Sequence, residues 1–221
     1  MKIHVISTGH NQPLHQINRL IDSVYSDPQP CEVRLHIYNE TDDDRRGAAF
    51  RRYDIIRNNP APIIADDDVI MLVGLDDHLL PNAIRTIYEA HQSGAWVTYG
   101  NWQNQHGRVN SLQVEWRGQP LRTAPFFLTA PNTFRAGLYR RIPIKRLQVD
   151  GTWQHVCTEV DVMYSCAEMA GQDRTMLITE PIYHYNERLP TGTLSQFGKA
   201  RKGEVLRIIQ GRTPFDILEL L

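Results

Sequence analysis

The sequence predicts an α/β domain whose first half forms a parallel sheet with right-handed crossovers. Strand-like and helix-like segments of ordinary length alternate there, as a parallel sheet requires. One of them, Val69–Val73, is continuously apolar, which is typical of a strand buried on both faces. Three of the strands end in polar clusters, where open α/β sheets bind their ligands. The alternating segments are Ile3–Ser7, Leu14–Tyr25, Cys31–Tyr38, Arg45–Arg57 and Val69–Gly74.

Local signals justify these elements in chain order. Apolar residues recur at helical spacing in the first helix, and two prolines end it. The second strand is predicted from its alternating pattern, and the basic segment after it is predicted to be helical. The apolar residues of the first helix are Ile17, Leu20, Ile21 and Val24, and the break after it is Ser26–Pro30.

The second half of the chain is less regular. We predict strands at Trp96–Gly100, at Thr175–Thr179 and, on the sheet edge, at Ser111–Trp116. The predicted helices are Thr133–Arg140, Val160–Ala170 and Phe215–Leu221, with a flexible segment at Leu189–Gly203. Residues 1–189 would form the ligand-binding and catalytic domain, and residues 190–221 a tail that closes over the site as a lid.

Composition excludes some functional classes. The 221 residues are 41% hydrophobic and 22% charged with a formal net charge of -1, so a strongly basic nucleic-acid binder is not expected. No apolar run approaches the roughly 20 residues that span a bilayer, and the amino-terminal apolar stretch is too short for a secretory signal. The three cysteines lack metal-ligand spacing, which indicates free thiols in a reducing compartment. We therefore expect a cytoplasmic protein without a membrane anchor.

The polar clusters that end the three strands predict a nucleotide pocket. They are Thr8–Asn11, Asn39–Asp44 and Asp76–Asp77, and a parallel sheet brings all three to one edge. The adjacent aspartates repel each other, so a divalent metal escorting a phosphate is expected beside them. The alternative is that both are solvated and cap the next helix. Neither GxGxxG nor GxxxxGK[ST] is present, so metal and basic side chains would hold the phosphate.

The order and spacing of these segments resemble family-2 glycosyltransferases of the GT-A fold. The ordered set of segments carries this resemblance, which covers about residues 3–188. Two positions depart from the family pattern: Gly74 replaces the first aspartate of a DxD motif, and the acidic catalytic pair is split into Glu159 and Asp161. The matching segments are Ile3–Asn11, Asn39–Asp42, Gly47–Arg52, Leu75–Pro81, Tyr99–Asn101, Thr158–Gly171 and Glu180–Asn186.

The resemblance implies a single-domain, Rossmann-like GT-A fold with a mixed, mostly parallel sheet flanked by helices. It also implies an inverting glycosyltransferase that moves a hexosyl or pentosyl group from a nucleoside-diphosphate sugar to an acceptor hydroxyl, with Mg²⁺ or Mn²⁺. A metal-dependent nucleotidyltransferase or nuclease, and a non-catalytic nucleotide-sugar-binding domain, stay open as alternatives. The acceptor is open among a glycan, a small molecule, a protein and a modified nucleic acid.

The resemblance also implies roles for individual residues. Asp77 would bind the metal and Asp76 the ribose. Glu159 or Asp161 would be the general base, with Asp161 favoured. His184 would complete the metal shell, or else is a hydrogen-bonded histidine beside its tyrosine neighbours. The nucleoside and diphosphate would be held by Thr8, Gly9, His10, Asn11, Asn39, Asp42 and Arg52.

Overall fold

The structure is a computed structural model of the chain, and it describes residues 1–41, 46–58, 64–110, 115–187 and 193–221, without the side chains of residues 193–198. Within these ranges the chain forms a seven-stranded sheet and a separate two-stranded ribbon. The strands are β1 (Ile3–His10), β2 (Val33–Glu40), β3 (Val69–Gly74), β4 (His78–Leu79), β5 (Val97–Asn104), β6 (Asn132–Arg135), β7 (Gln148–Val149), β8 (Thr152–Trp153) and β9 (Thr175–Tyr185). The helices are α1 (Leu14–Tyr25), α2 (Ala48–Tyr53), α3 (Ala83–Gln92), α4 (Ala136–Arg141), α5 (Thr158–Ala170) and α6 (Thr193–Gln210).

The main sheet is mixed and mostly parallel, as predicted. Its strand order is β2-β1-β3-β6-β5-β9-β4. Strand β1 pairs in parallel with β2 and with β3, and β5 pairs in parallel with β9. Strand β6 is antiparallel to both of its neighbours, and β4 is antiparallel to β9. The strands β1, β2, β3, β5 and β9 therefore all end at the same edge of the sheet.

Hydrophobic cores cover both faces of the sheet because the side chains of each central strand alternate between them. Val69, Met71 and Val73 pack with α1 and α3 in one core. Ile70 and Leu72 pack with α4 and α5 in the other core. Complete burial on both faces explains why this strand has no polar residue before its carboxyl end.

Three predictions for the second half are corrected by the structure. Residues 132–135 form strand β6 rather than the start of a helix, and α4 begins only at Ala136. Much of the segment predicted to be flexible belongs to α6, whose Val205 and Ile209 are buried in the main core. Phe215–Leu221 is not helical, although several of its apolar side chains pack on that core.

Two further predictions concern the edge strand and membrane spans. Most of the predicted edge strand, residues 111–114, lies outside the described residues, and Glu115 and Trp116 are not in a strand. No helix in the described part of the chain is both long enough and apolar enough to cross a membrane.

Candidate active site

A cavity of about 330 Å³ opens where the central strands end. The ends of β3, β5 and β9 form part of its wall, and α2, α5 and the loop before β6 form the rest. Its volume lies at the lower end of the range of about 300–1,000 Å³ that is usual for ligand pockets. The lining residues are Arg52, Leu72, Val73, Gly74, Asp77, Trp102, Phe126, Thr129, Ala130, Asn132, Glu159, Val160, Tyr183 and Tyr185.

Asp77 lies in this cavity with a buried carboxylate that is firmly held. The hydroxyl of Tyr183 donates a hydrogen bond to Oδ2 at 2.6 Å, and the backbone N–H of Asn186 donates to Oδ1 at 2.7 Å. The Tyr183 hydroxyl in turn accepts a hydrogen bond from the N–H of Gly74 at 3.0 Å. Strands β3 and β9 together therefore fix the direction of this carboxylate.

The Asp77 carboxylate is electrostatically under-compensated. Burial raises its pKa to about 7, with a further contribution from the neighbouring charge of Asp76. Each of its oxygens keeps a lone pair after accepting one hydrogen bond. A cation beside it would favour the ionised form, so the donor chemistry fits a divalent metal whose other ligands are phosphate oxygens and water. The described residues contain no group of three or more His, Cys, Asp or Glu side chains that could hold such an ion without a substrate.

Gly74 replaces the first aspartate of a DxD motif for a steric reason. A Cβ atom at this position would lie 2.6 Å from Oδ2 of Asp77. That separation is too short for any side chain, and the carboxylate cannot move away without losing its bond to Tyr183. The glycine at position 74 is therefore coupled to the inward position of Asp77.

Glu159 reaches the same cavity from the first turn of α5. Its side chain is 40% exposed, and its Oε1 accepts a hydrogen bond from Nη2 of Arg52 at 2.5 Å. Nη1 of Arg52 also donates to the hydroxyl of Thr158 at 3.0 Å. Burial alone would raise the pKa of Glu159, but the charge and hydrogen bond of Arg52 outweigh it and hold that pKa below its usual value. The carboxylate is therefore ionised at neutral pH.

The buried residue Glu40 determines where Arg52 lies. Its carboxylate accepts hydrogen bonds from the N–H groups of Arg46 and Gly47 and from Nε of Arg51. These bonds join the end of β2 to the segment that begins α2. The Arg52 side chain, with 5% exposure, is then directed toward α5.

Asp161, the favoured base in the sequence analysis, does not line the cavity. It is 1% exposed, and its two oxygens accept hydrogen bonds from Arg122 at 2.9 Å and from Arg212 at 2.5 Å. Arg122 also binds Glu168 through two hydrogen bonds of 2.7 and 2.9 Å. Residues two positions apart on a helix point in directions about 200° apart, so Asp161 cannot share the direction of Glu159.

The polar clusters that end β1 and β2 meet at the predicted edge of the sheet but do not line the cavity. The side chain of Asn39 exchanges hydrogen bonds with the backbone of Gln12 at 2.8 and 2.9 Å. The carbonyl of Thr8 accepts a hydrogen bond from the N–H of Leu75, and a Cβ at Gly9 would lie 2.6 Å from the Cβ of Leu75. The residues predicted to hold the nucleoside, Thr8, Gly9, His10, Asn11 and Asn39, therefore lie beside the exit of β3, whereas Asp42 lies outside the described residues.

His184 and Asp76 also lie outside the cavity lining. The ring of His184 stacks on that of His78 with centroids 4.1 Å apart. Alternation along β9 directs His184 away from the face that carries Tyr183 and Tyr185, so its predicted place in a metal shell is not supported. Asp76 is half-buried next to Asp77, and its carbonyl accepts a hydrogen bond from Nδ2 of Asn186.

Several cavity residues, among them Tyr183, Tyr185 and Asn132, were not predicted as site residues from the sequence. Tyr183 and Tyr185 share one face of β9, which the two-residue spacing in the sequence could have indicated. Trp102 is in register with Tyr183, and its ring lies 4.9 Å from that of Tyr185. Asn132 enters from β6, a strand that the sequence did not reveal.

Comparison with known proteins identifies the fold. The chain matches no protein-family model, and no curated protein matches it. It is similar to solved structures of TarS from S. aureus. The complex of TarS 1-349 with UDP-GlcNAc gives a TM-score of 0.66 at 13% identity over 95% of this chain. The complex of TarS 1-349 with UDP gives 0.58 at 11% identity, again over 95% of this chain.

The likeness covers only part of each TarS structure. This chain spans 65% of the length of TarS 1-349. It spans 37% of a longer TarS structure, and that match has a TM-score of 0.57 at 12% identity over 85% of this chain. At such low identities the likeness shows the fold. The predicted single-domain α/β fold of the Rossmann-like GT-A type is therefore confirmed.

Proposed function

We propose that this protein is a metal-dependent, inverting glycosyltransferase that uses a nucleoside-diphosphate sugar. One observation carries the proposal: Asp77, Glu159 and Arg52 converge in a single cavity at the carboxyl edge of a GT-A sheet. A buried carboxylate suited to a metal, an ionised carboxylate suited to a base and a guanidinium suited to an anion are the groups that sugar transfer from a diphosphate needs.

The likeness to TarS supports the class of donor. TarS has the same fold and was solved with UDP-GlcNAc and with UDP. A nucleoside-diphosphate sugar is accordingly the donor that we propose for this chain. The nucleoside would lie against the polar clusters at the ends of β1 and β2. Asp76 would bind its ribose, and the diphosphate would lie at Asp77.

A divalent ion, Mg²⁺ or Mn²⁺, would be held by Asp77 together with the diphosphate oxygens, and it would neutralise charge on the departing diphosphate. Arg52 would add a second positive charge on the opposite side of the cavity. The hydrogen bonds from Tyr183 and Asn186 keep Asp77 in the direction that this role requires.

Glu159 would act as the general base. It would take the proton from the acceptor hydroxyl while that oxygen forms a bond to the anomeric carbon. The bond from the anomeric carbon to the diphosphate breaks on the opposite face, so the configuration at that carbon inverts. The ion pair with Arg52 keeps Glu159 ionised before the acceptor arrives.

The arrangement favours transfer over a two-metal nuclease or nucleotidyltransferase. Within the described residues, Asp77 and Glu159 are the carboxylates that line the cavity, and Glu159 is already paired with Arg52. Two metals at about 4 Å separation need several shared carboxylates. We also propose a cytoplasmic location, with a glycan, a small molecule, a protein or a modified nucleic acid as acceptor.

A thermal-shift screen of nucleotides and nucleotide sugars tests the donor site. We expect a nucleoside diphosphate or its sugar to raise the melting temperature with Mn²⁺ present, and to lose that effect when a chelator replaces the metal. The result would be checked by release of free sugar from the stabilising donor. A screen without any metal-dependent stabilisation would contradict the proposal, and nucleotide polymerisation or nucleic-acid cleavage would support the rival class.

A further inference from the structure

Asn132 places an amide at the inner end of the cavity. It is 6% exposed, and it is paired in register with Leu72 of β3. Leu72 precedes Gly74, the last residue of β3, by two residues. Asn132 therefore lies about 7 Å further into the sheet than the end of β3. A diphosphate bound at Asp77 would therefore lie nearer the edge of the sheet than a ligand group that contacts Asn132.

The Oδ1 atom of Asn132 is buried and accepts no hydrogen bond from the described residues. Its neighbours in the sheet are satisfied. The hydroxyl of Thr133 lies 2.7 Å from His91 and 2.6 Å from Thr98, and Asn101 donates to the carbonyl of Thr179 at 2.7 Å. Buried polar groups are nearly always paired in native proteins, so an open amide oxygen in a cavity wall points to a ligand with a hydrogen-bond donor.

A second unpaired polar atom belongs to another residue that lines the cavity. Nε of Arg52 is also buried without a hydrogen-bond acceptor in the described part of the chain, although both terminal nitrogens of the guanidinium are engaged. The cavity therefore presents one unpaired acceptor, on Asn132, and one unpaired donor, on Arg52. A sugar ring carries hydroxyl groups that donate and accept, so it satisfies both.

We infer that Asn132 is the residue that selects the donor sugar, by accepting a hydrogen bond from one hydroxyl or amide N–H of the sugar ring. This inference rests on the proposed function, because the diphosphate at Asp77 is what directs the sugar toward the inner end. A site built to bond a substrate hydroxyl strongly rejects an analogue that lacks it, since its own polar group is then left buried and unpaired. Asn132 would therefore set selectivity among sugars without affecting the nucleoside.

The test compares Asn132→Leu with the unchanged protein by calorimetric titration in Mn²⁺. The ligands are UDP, UDP-GlcNAc and four deoxy analogues of UDP-GlcNAc, of which three lack the 3-, 4- or 6-hydroxyl and one lacks the 2-acetamido group. We expect the variant to bind UDP as before and to bind UDP-GlcNAc roughly 10- to 100-fold more weakly. One deoxy analogue should bind the unchanged protein as weakly as UDP-GlcNAc binds the variant, and the variant should no longer distinguish the two.

The melting temperature supplies a second readout, because replacing an asparagine that stabilises the fold would lower it. Leucine has a similar volume, and the lost amide oxygen accepts no hydrogen bond from the described residues, so the melting temperature should stay unchanged or rise. The matched control is Asn101→Leu, at a buried asparagine that lies outside the cavity lining. That change should lower the melting temperature and leave sugar selectivity intact. If Asn132→Leu were too unstable to titrate, Asn132→Ala would serve for the binding comparison.

The possible outcomes separate the inference from the proposed function. If the unchanged protein and Asn132→Leu both bind UDP, and both bind UDP-GlcNAc with the same affinity, the inference alone is overturned. An equal loss for UDP and UDP-GlcNAc also overturns it, because Asn132 would then act on the nucleoside diphosphate. No binding of UDP or UDP-GlcNAc to the unchanged protein, together with no stabilisation by any other nucleoside diphosphate in the thermal-shift screen, overturns both.

Discussion

Helix α5 carries two carboxylates that differ by two positions and have opposite environments. Glu159 is partly exposed, has Arg52 as its ion-pair partner and lines the cavity. Asp161 is buried between Arg122 and Arg212 on another face of the same helix. Both are acidic residues in the first turn of a helix, so sequence proximity does not separate them.

The difference lies in what each ion pair joins. The Asp161 network ties α5 to the 3₁₀ turn that carries Arg122 and to the end of the chain, where Phe215 N–H also binds Glu168. Removing Asp161 leaves Arg122 with Glu168 as its counter-charge and leaves the largely buried Arg212 without the carboxylate that it binds. The Glu159 pair is open to the cavity, and a ligand can take over either partner. One face of the helix therefore stabilises the fold, and the other is available for chemistry.

Replacing the exposed carboxylate, Glu159→Gln, should have the largest effect on activity. Turnover should fall by about 100- to 10,000-fold because the amide cannot accept a proton, whereas donor binding should persist. The glutamine oxygen can still accept the bond from Arg52, so unfolding free energy should change by less than about 1 kcal/mol. Steady-state transfer kinetics, donor titration and urea unfolding check the three parts. Unchanged turnover would contradict the role of Glu159 as the base, whereas the absence of turnover in both proteins would support a non-catalytic nucleotide-sugar-binding domain.

The matched change on the buried face is Asp161→Asn. It should lower the unfolding free energy by about 3–5 kcal/mol, because Arg122 and Arg212 lose a buried counter-charge. Urea unfolding measures the loss, and donor titration on the folded fraction should give an unchanged affinity. A stable variant with selective loss of turnover would restore Asp161 as the base and contradict the contrast between the two faces.

Asp77→Asn extends the comparison to a buried carboxylate without an ion-pair partner. Since the folded pKa of about 7 lies above the usual 3.8, ionisation of Asp77 costs stability progressively between these values. The full cost is about 4 kcal/mol above that range, so the metal-free variant should be more stable than the parent, and more so near pH 8 than near pH 5.5. Thermal unfolding in chelator measures this gain. Destabilisation at the higher pH would show that Asp77 already has a cation partner in the fold.

The smallest expected change is a shift in a pH profile. Arg52→Gln removes the charge that lowers the pKa of Glu159, so that pKa should rise. Because the base must be ionised, the acidic limb of the kcat/KM profile should move to higher pH. Transfer rates across the acidic range measure the limb. A limb at the same pH in both proteins would mean that another group controls it.

Much of the first half was predictable, because its elements have local signals. The apolar run of β3 predicted a central strand, and the carboxylates that follow it were predicted to lie at the edge of the sheet where ligands bind. Helical geometry alone could also have separated Glu159 from Asp161. The alternation of Tyr183 and Tyr185 was visible in the sequence as well.

Other features depend on contacts between distant segments. Strand β6 has four residues and is defined by pairing with β3 and β5, so Asn132 had no local signal. Helix α6 contains Gly198 and Gly203, which weigh against a helix, yet the burial of Val205 and Ile209 stabilises it. The tail near Phe215 has a helix-like pattern, but it packs on the core without forming a helix.

The most direct test of the central claim is a crystal structure of the protein grown with UDP-GlcNAc and Mn²⁺. We predict nucleotide-sugar density in the cavity of Asp77, Glu159 and Arg52, with the diphosphate and a metal peak beside Asp77. Density at any other place on the protein, with this cavity filled only by solvent, would contradict the account.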